Sequence, residues 1–283
     1  MIDVYKIGLG YYDKLKCDKN SGLFEYKIIC KELEQIQGIC KAKILVIING
    51  LPDCNELENL MHKMQNYDKK IFVMSDSIAL KTCKDIMNIC DLVLHQSITN
   101  KFDEINTKQK YSGVPELFYK YLSDMSLLTK SKDNKVSFGG NNLNRQDKFE
   151  QYNINDDIYK VSIKDYNTGV DARLEHKEYL SILSQQKFSL IICRKEYRNI
   201  NWITARFYES IAKCTLPLVD EDFCKCLWLI FGNNIVRVNN FTDVKRAMQI
   251  DDDARIKILL NLNLKCKIRT SMFLDAIVKE VWC

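Results

Sequence analysis

The chain has 283 residues, which is enough for two domains of ordinary size or for one large domain. Hydrophobic residues make up 46% and charged residues 28%, a balance typical of a globular protein and not of a disordered or fibrous one. The formal net charge of +5 does not require a polyanionic partner, but it permits one if basic residues gather on one face.

Twelve cysteines are scattered along the chain, several inside apolar runs, as at Cys30, Cys90 and Cys193. Because the chain opens on a short strand and lysines instead of an apolar signal segment, we expect a cytoplasmic protein with reduced thiols. Cys224 and Cys226 lie close together, but they lack a second pair or a histidine partner, so we interpret them as structural. No apolar run approaches the roughly 20 residues that span a bilayer, which predicts no membrane partner.

The first part of the chain alternates between strand and helix patterns. Near-continuous apolar runs, such as 43–49, are typical of strands that are buried on both faces of a parallel sheet. Repeated strand–helix–strand units predict a parallel, doubly wound sheet. The predicted strands are 3–8, 43–49, 70–75 and 91–95, and the predicted helices are 23–37, 55–65 and 79–89.

Residues 100–134 are polar, rich in lysine and weakly periodic, with Pro115 near the middle, and we interpret them as the connection between two domains. We therefore predict an α/β protein with two facing Rossmann-like domains, 1–120 and 121–267, and a ligand cleft at the carboxyl ends of their strands. The predicted strands of the second domain are 135–138, 159–164, 188–193, 216–220 and 234–238, and its helices are 144–151, 175–186 and 241–249, with terminal helices at 252–261 and 270–282.

A further predicted helix, between strands 188–193 and 216–220, carries Arg206 and Glu209 on one face, since residues three apart are neighbours on a helix. A guanidinium suits phosphate because it is planar and permanently charged. A carboxylate can accept hydrogen bonds from both hydroxyls of a ribose. The pair is therefore typical of a nucleotide-sugar site, although an ordinary ion pair on a helix surface has the same spacing.

Two other segments could carry chemistry. Gly139 and Gly140 lie where a predicted strand gives way to a helix, so the backbone there could approach an anion, with Arg145 and Lys148 following in the first turn. A plain turn explains the glycines equally well. Asp76 ends strand 70–75 and could act as a general base, or it could simply cap the next helix.

The sequence also excludes several classes of site. The three histidines stand apart, and no pair has the i, i+4 spacing of a zinc centre. The chain has neither a G-x-x-x-x-G-K-[ST] loop nor a G-x-S-x-G elbow, which excludes P-loop kinases and the usual serine hydrolases.

With these residues placed, the chain resembles the DNA β-glucosyltransferases of T-even phages. The most specific stretch is 201–223, NWITARFYESIAKCTLPLVDEDF. The family has a similar Asn-aromatic-Ile-Thr there, then Arg, two residues and Glu, and a strand that ends in acidic residues before Phe. Weaker similarity covers most of the chain from about residue 71. The resemblance implies the GT-B glycosyltransferase architecture, with a final helix, about 268–283, that packs back on the first domain.

The resemblance also implies a reaction. A monomeric phage enzyme in the host cytoplasm would transfer a sugar, glucose in the family, from UDP-glucose to a flipped hydroxymethylcytosine or hydroxymethyluracil in double-stranded DNA. The transfer would invert the sugar and protect the DNA against host restriction. A divalent metal, Mg²⁺ or Mn²⁺, would assist, with ligands that the sequence does not identify. Asp76 matches the catalytic base, and the residues that match the nucleotide site are Gly140, Asn141, Arg145, Leu174, Tyr197, Arg206 and Glu209.

Two features depart from the family. Arg145 alone follows the double glycine where the family has two arginines, and Ser21-Gly22 occupies the place of an early glutamate, with Glu25 about one turn later. Two alternatives stay open: a UDP-sugar transferase of the same fold with a non-DNA acceptor, and a non-enzymatic nucleotide-sensing or DNA-binding protein. Lysines that could contact a DNA backbone, or simply form a solvated surface, are Lys81, Lys84, Lys101, Lys108 and Lys110.

Overall fold

The structure is a computed structural model that describes residues 1–8, 21–50, 52, 55–77, 79–98, 102–154, 158–223 and 227–281. The chain forms two compact units, one of Met1–Leu117 with Ser271–Cys283, and one of Phe118–Thr270. Cys224 and Cys226, interpreted above as structural, and Lys101 lie outside the described residues. Seven described cysteines are free thiols: Cys30, Cys40, Cys83, Cys90, Cys193, Cys214 and Cys266.

The first unit contains a parallel five-stranded sheet in the order β1-β2-β3-β4-β5. All five residues of β2 are buried, which explains its unbroken apolar run. Because the described strands follow chain order, the reversal expected of a doubly wound sheet is not found among them. The elements are β1 (Ile2–Lys6), α1 (Ser21–Glu34), β2 (Ile44–Ile48), α2 (Glu56–Met64), β3 (Lys69–Met74), α3 (Ala79–Thr82), α4 (Lys84–Asn88), β4 (Leu92–His95), β5 (Gln109–Tyr111) and α5 (Val114–Leu122).

Two elements replace the predicted connection at 100–134. β5 is a half-buried edge strand of three residues, too short to produce a periodic pattern. Pro115 is the second residue of α5, where proline is tolerated because the first N–H groups of a helix have no acceptor within it. The division between the two units therefore falls inside a helix and not in a polar linker.

The second unit contains a six-stranded sheet in the order β11-β10-β9-β6-β7-β8, in which β8 alone pairs antiparallel. Chain order reverses between β6 and β9, so the segments that leave these two strands diverge and leave a crevice at their carboxyl ends. The elements are β6 (Asp133–Asn141), α6 (Gln146–Gln151), β7 (Tyr159–Lys164), β8 (Asp171–Ala172), α7 (His176–Ser184), β9 (Gln186–Ile191), α8 (Lys195–Arg198), α9 (Ala205–Ala212), β10 (Leu216–Asp220), α10 (Leu227–Phe231), β11 (Val236–Val238), α11 (Phe241–Ala247) and α12 (Asp252–Ile268).

Helix α12 extends seven residues beyond its predicted end at 261, to Ile268. The side chain of Asp251 caps it by accepting a hydrogen bond from the N–H of Ala254. Asp252 and Asp253 stand in the first turn and lysines in the last turn, which complements the helix dipole at both ends.

The last helix, α13 (Met272–Val281), belongs to the first unit. Its Glu280 carboxylate lies 2.6 Å from Nζ of Lys108 and 3.8 Å from Nζ of Lys110. Gly113 has a φ of +66°, and a Cβ added there would lie 2.7 Å from the backbone nitrogen of Phe273. Residues in and around β5 therefore hold α13, Lys108 and Lys110 by charge and Gly113 by close backbone packing.

Gly50, which follows β2, offers a test of the close packing between the ends of β1 and β2. A Cβ at Gly50 would lie 1.9 Å from the backbone oxygen of Ile7, so Gly50→Ala must push the ends of β1 and β2 apart. We expect the free energy of unfolding, measured by denaturant titration, to fall by about 3 kcal/mol or more. Gly38→Ala is the matched control, since nothing lies within 4 Å of its added Cβ. It should be neutral or stabilise by up to about 1 kcal/mol, and equal effects of the two substitutions would contradict the packing.

Candidate functional site

Two glycines near the end of β6 make room for two different side chains. A Cβ on Gly139 would lie 2.7 Å from the ring of Tyr179, and one on Gly140 would lie 2.8 Å from Nη1 of Arg145. Gly140 also has a φ of +151°, which side-chain-bearing residues rarely adopt. The double glycine thus lets an aromatic ring and a guanidinium pack directly on the strand.

These glycines belong to the strand and not to the predicted turn. After a bulge at Phe138/Gly139, β6 continues to Asn141, and Gly140 pairs with Ile163 of β7. Helix α6 begins only at Gln146 and has six residues. From sequence, the two glycines predict the end of the strand, whereas in the structure they lie within it and leave space beside it. Binding of an anion must therefore depend mainly on side-chain charge.

Arg145 carries the positive charge closest to this strand end. It is 8% exposed, and its Nη1 donates to the backbone oxygen of Asn141 at 2.9 Å. Its Nε and the nearby Oδ1 of Asn141 are buried without a hydrogen-bond partner, and Arg145 has no ion pair with any described residue. Burial, together with the charge of Arg194, lowers the pKa of Arg145 to about 10. A buried, unbalanced guanidinium is suited to an incoming anion.

Arg194 is a second cation beside Arg145 that the sequence did not single out. It lies just beyond β9, is half-buried, and its guanidinium lies 5.8 Å from the ring centroid of Tyr197. Tyr197 is buried and stacks on Trp202 with the ring centroids 5.6 Å apart. The available signal was a basic residue directly after an apolar strand. Arg145, Arg194 and Tyr197 thus form one cluster at the point where the sheet reverses.

Lys148, in contrast, forms ion pairs within the fold. Its Nζ lies 2.9 Å from a carboxylate oxygen of Asp220 and 2.9 Å from one of Asp222, and its side chain is 5% exposed. The hydroxyl of Tyr152 donates to the same Asp220 carboxylate at 2.5 Å. The expectation that Lys148 contacts a ligand is therefore wrong, because two carboxylates already bind it beneath β10.

The predicted pair on α9 is present and has two further partners. Arg206 Nη1 lies 3.1 Å from Oε2 of Glu209, and Nε2 of His176 lies 2.8 Å from Oε1 of the same carboxylate. The guanidinium of Arg206 lies 4.1 Å from the ring centroid of Tyr179, within the range of a cation–π contact. His176 begins α7, and nothing in its sequence context indicated this contact.

The electrostatics of this group keep Glu209 ionised. Its side chain is fully buried, which alone would raise the pKa, but Arg206 and His176 hold the pKa of Glu209 below its ordinary value. Burial also opposes the charge on Arg206, yet Tyr179 and Glu209 raise its pKa above the usual range. Arg206 keeps 30% of its side chain exposed. It is therefore the member of the pair that faces solvent, while Glu209 holds it in place.

Leu174 anchors the segment between β8 and α7. Its backbone N–H donates to Oγ of Ser162 on β7 at 3.1 Å, and its half-buried side chain packs on a cluster that includes Tyr179. The structure thus brings Leu174 to the edge of the Tyr179–Arg206 group. Within the second unit, the predicted nucleotide residues lie on or next to β6, α7, α8 or α9: Gly140, Asn141, Arg145, Leu174, Tyr197, Arg206 and Glu209.

In the first unit, Asp76 follows β3 and is half-buried. The residue before it, Ser75, donates from its N–H and Oγ to Oδ1 of Asn49 at 2.5 and 2.9 Å. The backbone oxygen of Asn49 in turn accepts from Nζ of Lys6 at 3.3 Å. Polar groups at the carboxyl ends of β1, β2 and β3 therefore form one connected network next to Asp76.

Glu25 on α1 completes this network. It is 7% exposed and hydrogen-bonds to Ser75, while its Oε1 has no partner. Burial raises the pKa of Glu25 to about 7, with Asp76 adding to the rise and Lys6 opposing it. Lys6 is also buried, which lowers its own pKa. Glu25 thus places a carboxyl group with a pKa near neutral beside Asp76.

The described residues offer no preformed metal site. None of them form a group of three or more His, Cys, Asp or Glu side chains placed to hold a metal ion. Glu209, which pairs with Arg206, already has a partner on each oxygen. Among the described residues of the second unit, no group of side chains therefore fits a protein-held metal. Separately, among the described helices, none is both long and apolar enough to cross a membrane.

Comparison with solved structures finds β-glucosyltransferases. A crystal structure of the DNA-modifying enzyme β-glucosyltransferase, with and without uridine diphosphoglucose, has a TM-score of 0.59 at 17% identity and covers 99% of both chains. The T4 phage enzyme with UDP-glucose has a TM-score of 0.59 at 18% identity, covering 84% of this chain and 82% of the other. The T4 phage enzyme with UDP and Mn²⁺ scores 0.54 at 16% identity, covering 84% and 89%.

No protein-family model and no curated protein sequence matches the chain. At these identities the structural likeness shows the fold. The predicted α/β fold class with GT-B glycosyltransferase architecture is confirmed, as is the resemblance to the T-even phage enzymes at the level of the fold.

The ionised state of Glu209 can be tested through stability. Because its folded pKa is depressed, its contribution is present above the unfolded pKa and is lost as the pH falls through the folded value. Glu209→Gln should therefore lower the free energy of unfolding by about 3 kcal/mol at pH 7, with the loss shrinking in acid. Chemical denaturation across this pH range measures it. Exposed Glu178 on α7 is the control, for which we expect less than about 0.5 kcal/mol. A pH-independent loss would contradict the assignment.

Proposed function

We propose that the protein is an inverting glycosyltransferase that uses a UDP-sugar donor, with glucose as the sugar. The observation that carries the proposal is a pair of cations at the sheet reversal of the second unit, Arg145 and Arg194, for which the described residues supply no carboxylate partner. Two such groups suit a diphosphate. The fold is that of structures whose T4 phage representative binds UDP-glucose.

The nucleotide would be bound by the groups already described. Arg145 and Arg194 would meet the diphosphate, and Arg206 would add charge from the neighbouring helix. Glu209 is assigned to the ribose hydroxyls. Since its oxygens are engaged by Arg206 and His176, the ribose would add to this group through remaining lone pairs or displace one partner. The backbone at Leu174 is assigned to the uracil ring, and Tyr197 to packing beside the diphosphate.

Asp76 is assigned as the general base. It would take the proton of the acceptor hydroxyl while the oxygen forms a bond to the anomeric carbon of the sugar. The bond from that carbon to the diphosphate breaks on the opposite face, which inverts the configuration. Negative charge that develops on the leaving oxygen would be stabilised by Arg145 and Arg194. Glu25, with a pKa of about 7, would hold a proton or a hydrogen bond beside the base.

For the acceptor, we propose a hydroxymethylated pyrimidine in duplex DNA. The support is the fold shared with a DNA-modifying enzyme and the exposed Lys81 and Lys84, which follow Asp76 on α3 and α4. One observation favours the alternative of a non-DNA acceptor. Lys108 and Lys110, two other candidate phosphate contacts, are paired with Glu280, which removes part of the basic surface.

The acceptor can be identified by direct assay. Protein with radiolabelled UDP-glucose should label duplex DNA that contains hydroxymethylcytosine or hydroxymethyluracil, and should leave plain duplex DNA unlabelled. Nucleoside mass spectrometry would identify the modified base. UDP release with no labelled DNA would favour the alternative acceptor, and UDP binding without any turnover would favour a sensing role.

Asp76→Asn should lower the rate of transfer by about 10²- to 10⁴-fold while the affinity for UDP-glucose stays unchanged. The amide keeps the shape of the carboxylate but cannot accept the proton. Asp85→Asn, on an exposed acid of α4, is the control and should keep wild-type rates. Transfer at the wild-type rate by the Asp76 variant would remove it from the mechanism.

Arg145→Met separates binding from stability. Because Arg145 is buried without an ion pair, we expect a thermal midpoint equal to or above that of the wild type. UDP affinity, measured by calorimetry, should fall roughly ten- to a hundredfold. Arg198→Met is the matched control, since Arg198 forms two hydrogen bonds with Asp147, at 2.5 and 3.0 Å. Arg198→Met should lower the thermal midpoint and leave the UDP affinity unchanged. The reverse pattern would refute the diphosphate assignment.

A further inference from the structure

Helices α7 and α9 contact each other through four side chains, called here the quartet. Arg206 and Glu209 are three residues apart on α9, and His176 and Tyr179 are three residues apart on α7. The guanidinium of Arg206 lies 4.1 Å from the ring centroid of Tyr179, and Nε2 of His176 lies 2.8 Å from Oε1 of Glu209. Each member of the charged pair on α9 therefore has one partner on α7.

The hydrogen bond between His176 and Glu209 has a fixed direction. Arg206 and His176 keep the pKa of Glu209 below its ordinary value, so the carboxylate is ionised and can only accept hydrogen bonds. Nε2 of His176 is therefore the donor. Because the side chain of Glu209 has no exposed surface, loss of this donor would leave Oε1 buried without a partner among the described residues.

The two donors on Glu209 also fix its orientation. His176 holds Oε1 from α7, and Arg206 holds Oε2 from α9 at 3.1 Å, so the carboxylate cannot turn without breaking a contact. The ring of His176 is itself held, since it lies within 18° of parallel to Tyr179 and edge-on to Phe118. The side chain of His176 is 10% exposed, against 30% for Arg206, so a ligand would approach from the side of Arg206. His176 thus supports Glu209 from the more buried side.

His176 is also close in sequence to the segment assigned to the base. It lies two residues after Leu174, whose backbone N–H is fixed by a hydrogen bond to Oγ of Ser162 at 3.1 Å. One short segment therefore carries the backbone assigned to the uracil ring and the side chain that holds the carboxylate assigned to the ribose. This continuity suits a nucleoside, in which base and ribose are joined directly.

We propose that His176 is a positioning residue of the donor site, which holds the Glu209 carboxylate in the orientation that accepts hydrogen bonds from the hydroxyls of a ribose. The inference rests on the proposed UDP-sugar donor and adds to it a selectivity for ribonucleotides. In this role His176 acts through Glu209 and does not touch the nucleotide. A carboxylate that is already held on both oxygens loses little freedom when hydroxyls bind to its remaining lone pairs.

The test compares UDP with 2′,3′-dideoxyuridine diphosphate, which lacks both ribose hydroxyls, by titration calorimetry of the full chain. The wild type should bind UDP at least about tenfold more tightly, because hydrogen bonds to a charged acceptor are strong. His176→Phe keeps a ring beside Tyr179 but cannot donate. It should reduce the preference for UDP to about twofold or less, while the affinity for the dideoxy nucleotide stays within about threefold of the wild type.

His176→Gln is the complementary variant, because its side-chain amide can donate a hydrogen bond but supplies no ring. It should keep the preference for UDP within about threefold of the wild-type value. His62→Phe makes the same replacement at an exposed histidine of α2 and should leave both affinities unchanged. Thermal midpoints show whether each variant is folded, and His176→Leu takes the place of His176→Phe if the larger ring prevents folding.

The outcomes separate this inference from the proposed function. A wild-type chain that binds neither nucleotide would refute the proposed donor, and the role of His176 with it. Equal affinity of the wild type for the two nucleotides would leave the diphosphate site standing but refute the assignments of Glu209 and His176. A preference for UDP that survives in His176→Phe, or that is lost equally in His176→Gln, would refute the positioning role alone, because the donor on Oε1 would then not set the selectivity.

Discussion

The constraint on which the proposed site in the second unit depends is a buried guanidinium, that of Arg145, for which no described residue supplies a counter-charge. Removing the charge of Arg145 from water costs free energy, and the one hydrogen bond to Asn141 returns only part of it. The fold nevertheless makes space for this group by placing Gly140, with its unusual φ, beneath it. In the proposed site, this cost is met before a diphosphate binds, so binding itself would lose little free energy, because the charge is already desolvated and fixed in place.

Ion pairing also divides the basic side chains of this unit into two groups. Lys148 and Arg198 are bound by carboxylates, Asp220 and Asp147 respectively, so their charges are neutralised within the fold. Arg206 is intermediate, since Glu209 and Tyr179 hold it while part of its side chain reaches solvent. Ion pairing therefore distinguishes the basic residues that maintain the sheet from those that remain available to a diphosphate.

The sequence predicted regular elements well where burial imposes a pattern. The apolar run of β10 fixed both of its ends, and the i, i+3 spacing correctly placed Arg206 and Glu209 together. Prediction from sequence failed where a side chain of the site comes from a segment that is distant along the chain. His176, 33 residues from Glu209, carries no local signal of their contact. Two elements in the polar region 100–134 were also missed. β5 has only three residues, too few to show a period, and Pro115 near the start of α5 obscured the helical pattern.

In the proposed diphosphate site, Arg194 would supply charge from a segment other than the one that carries the double glycine. At the reversal between β6 and β9, the segments that leave both strands lie around the same crevice. A cation is useful there from either segment, because electrostatic attraction to phosphate depends on distance and not on position in the chain. The proposed site therefore depends on the backbone, which presents two strand ends and a glycine side by side. The residues that supply the charge can come from either segment.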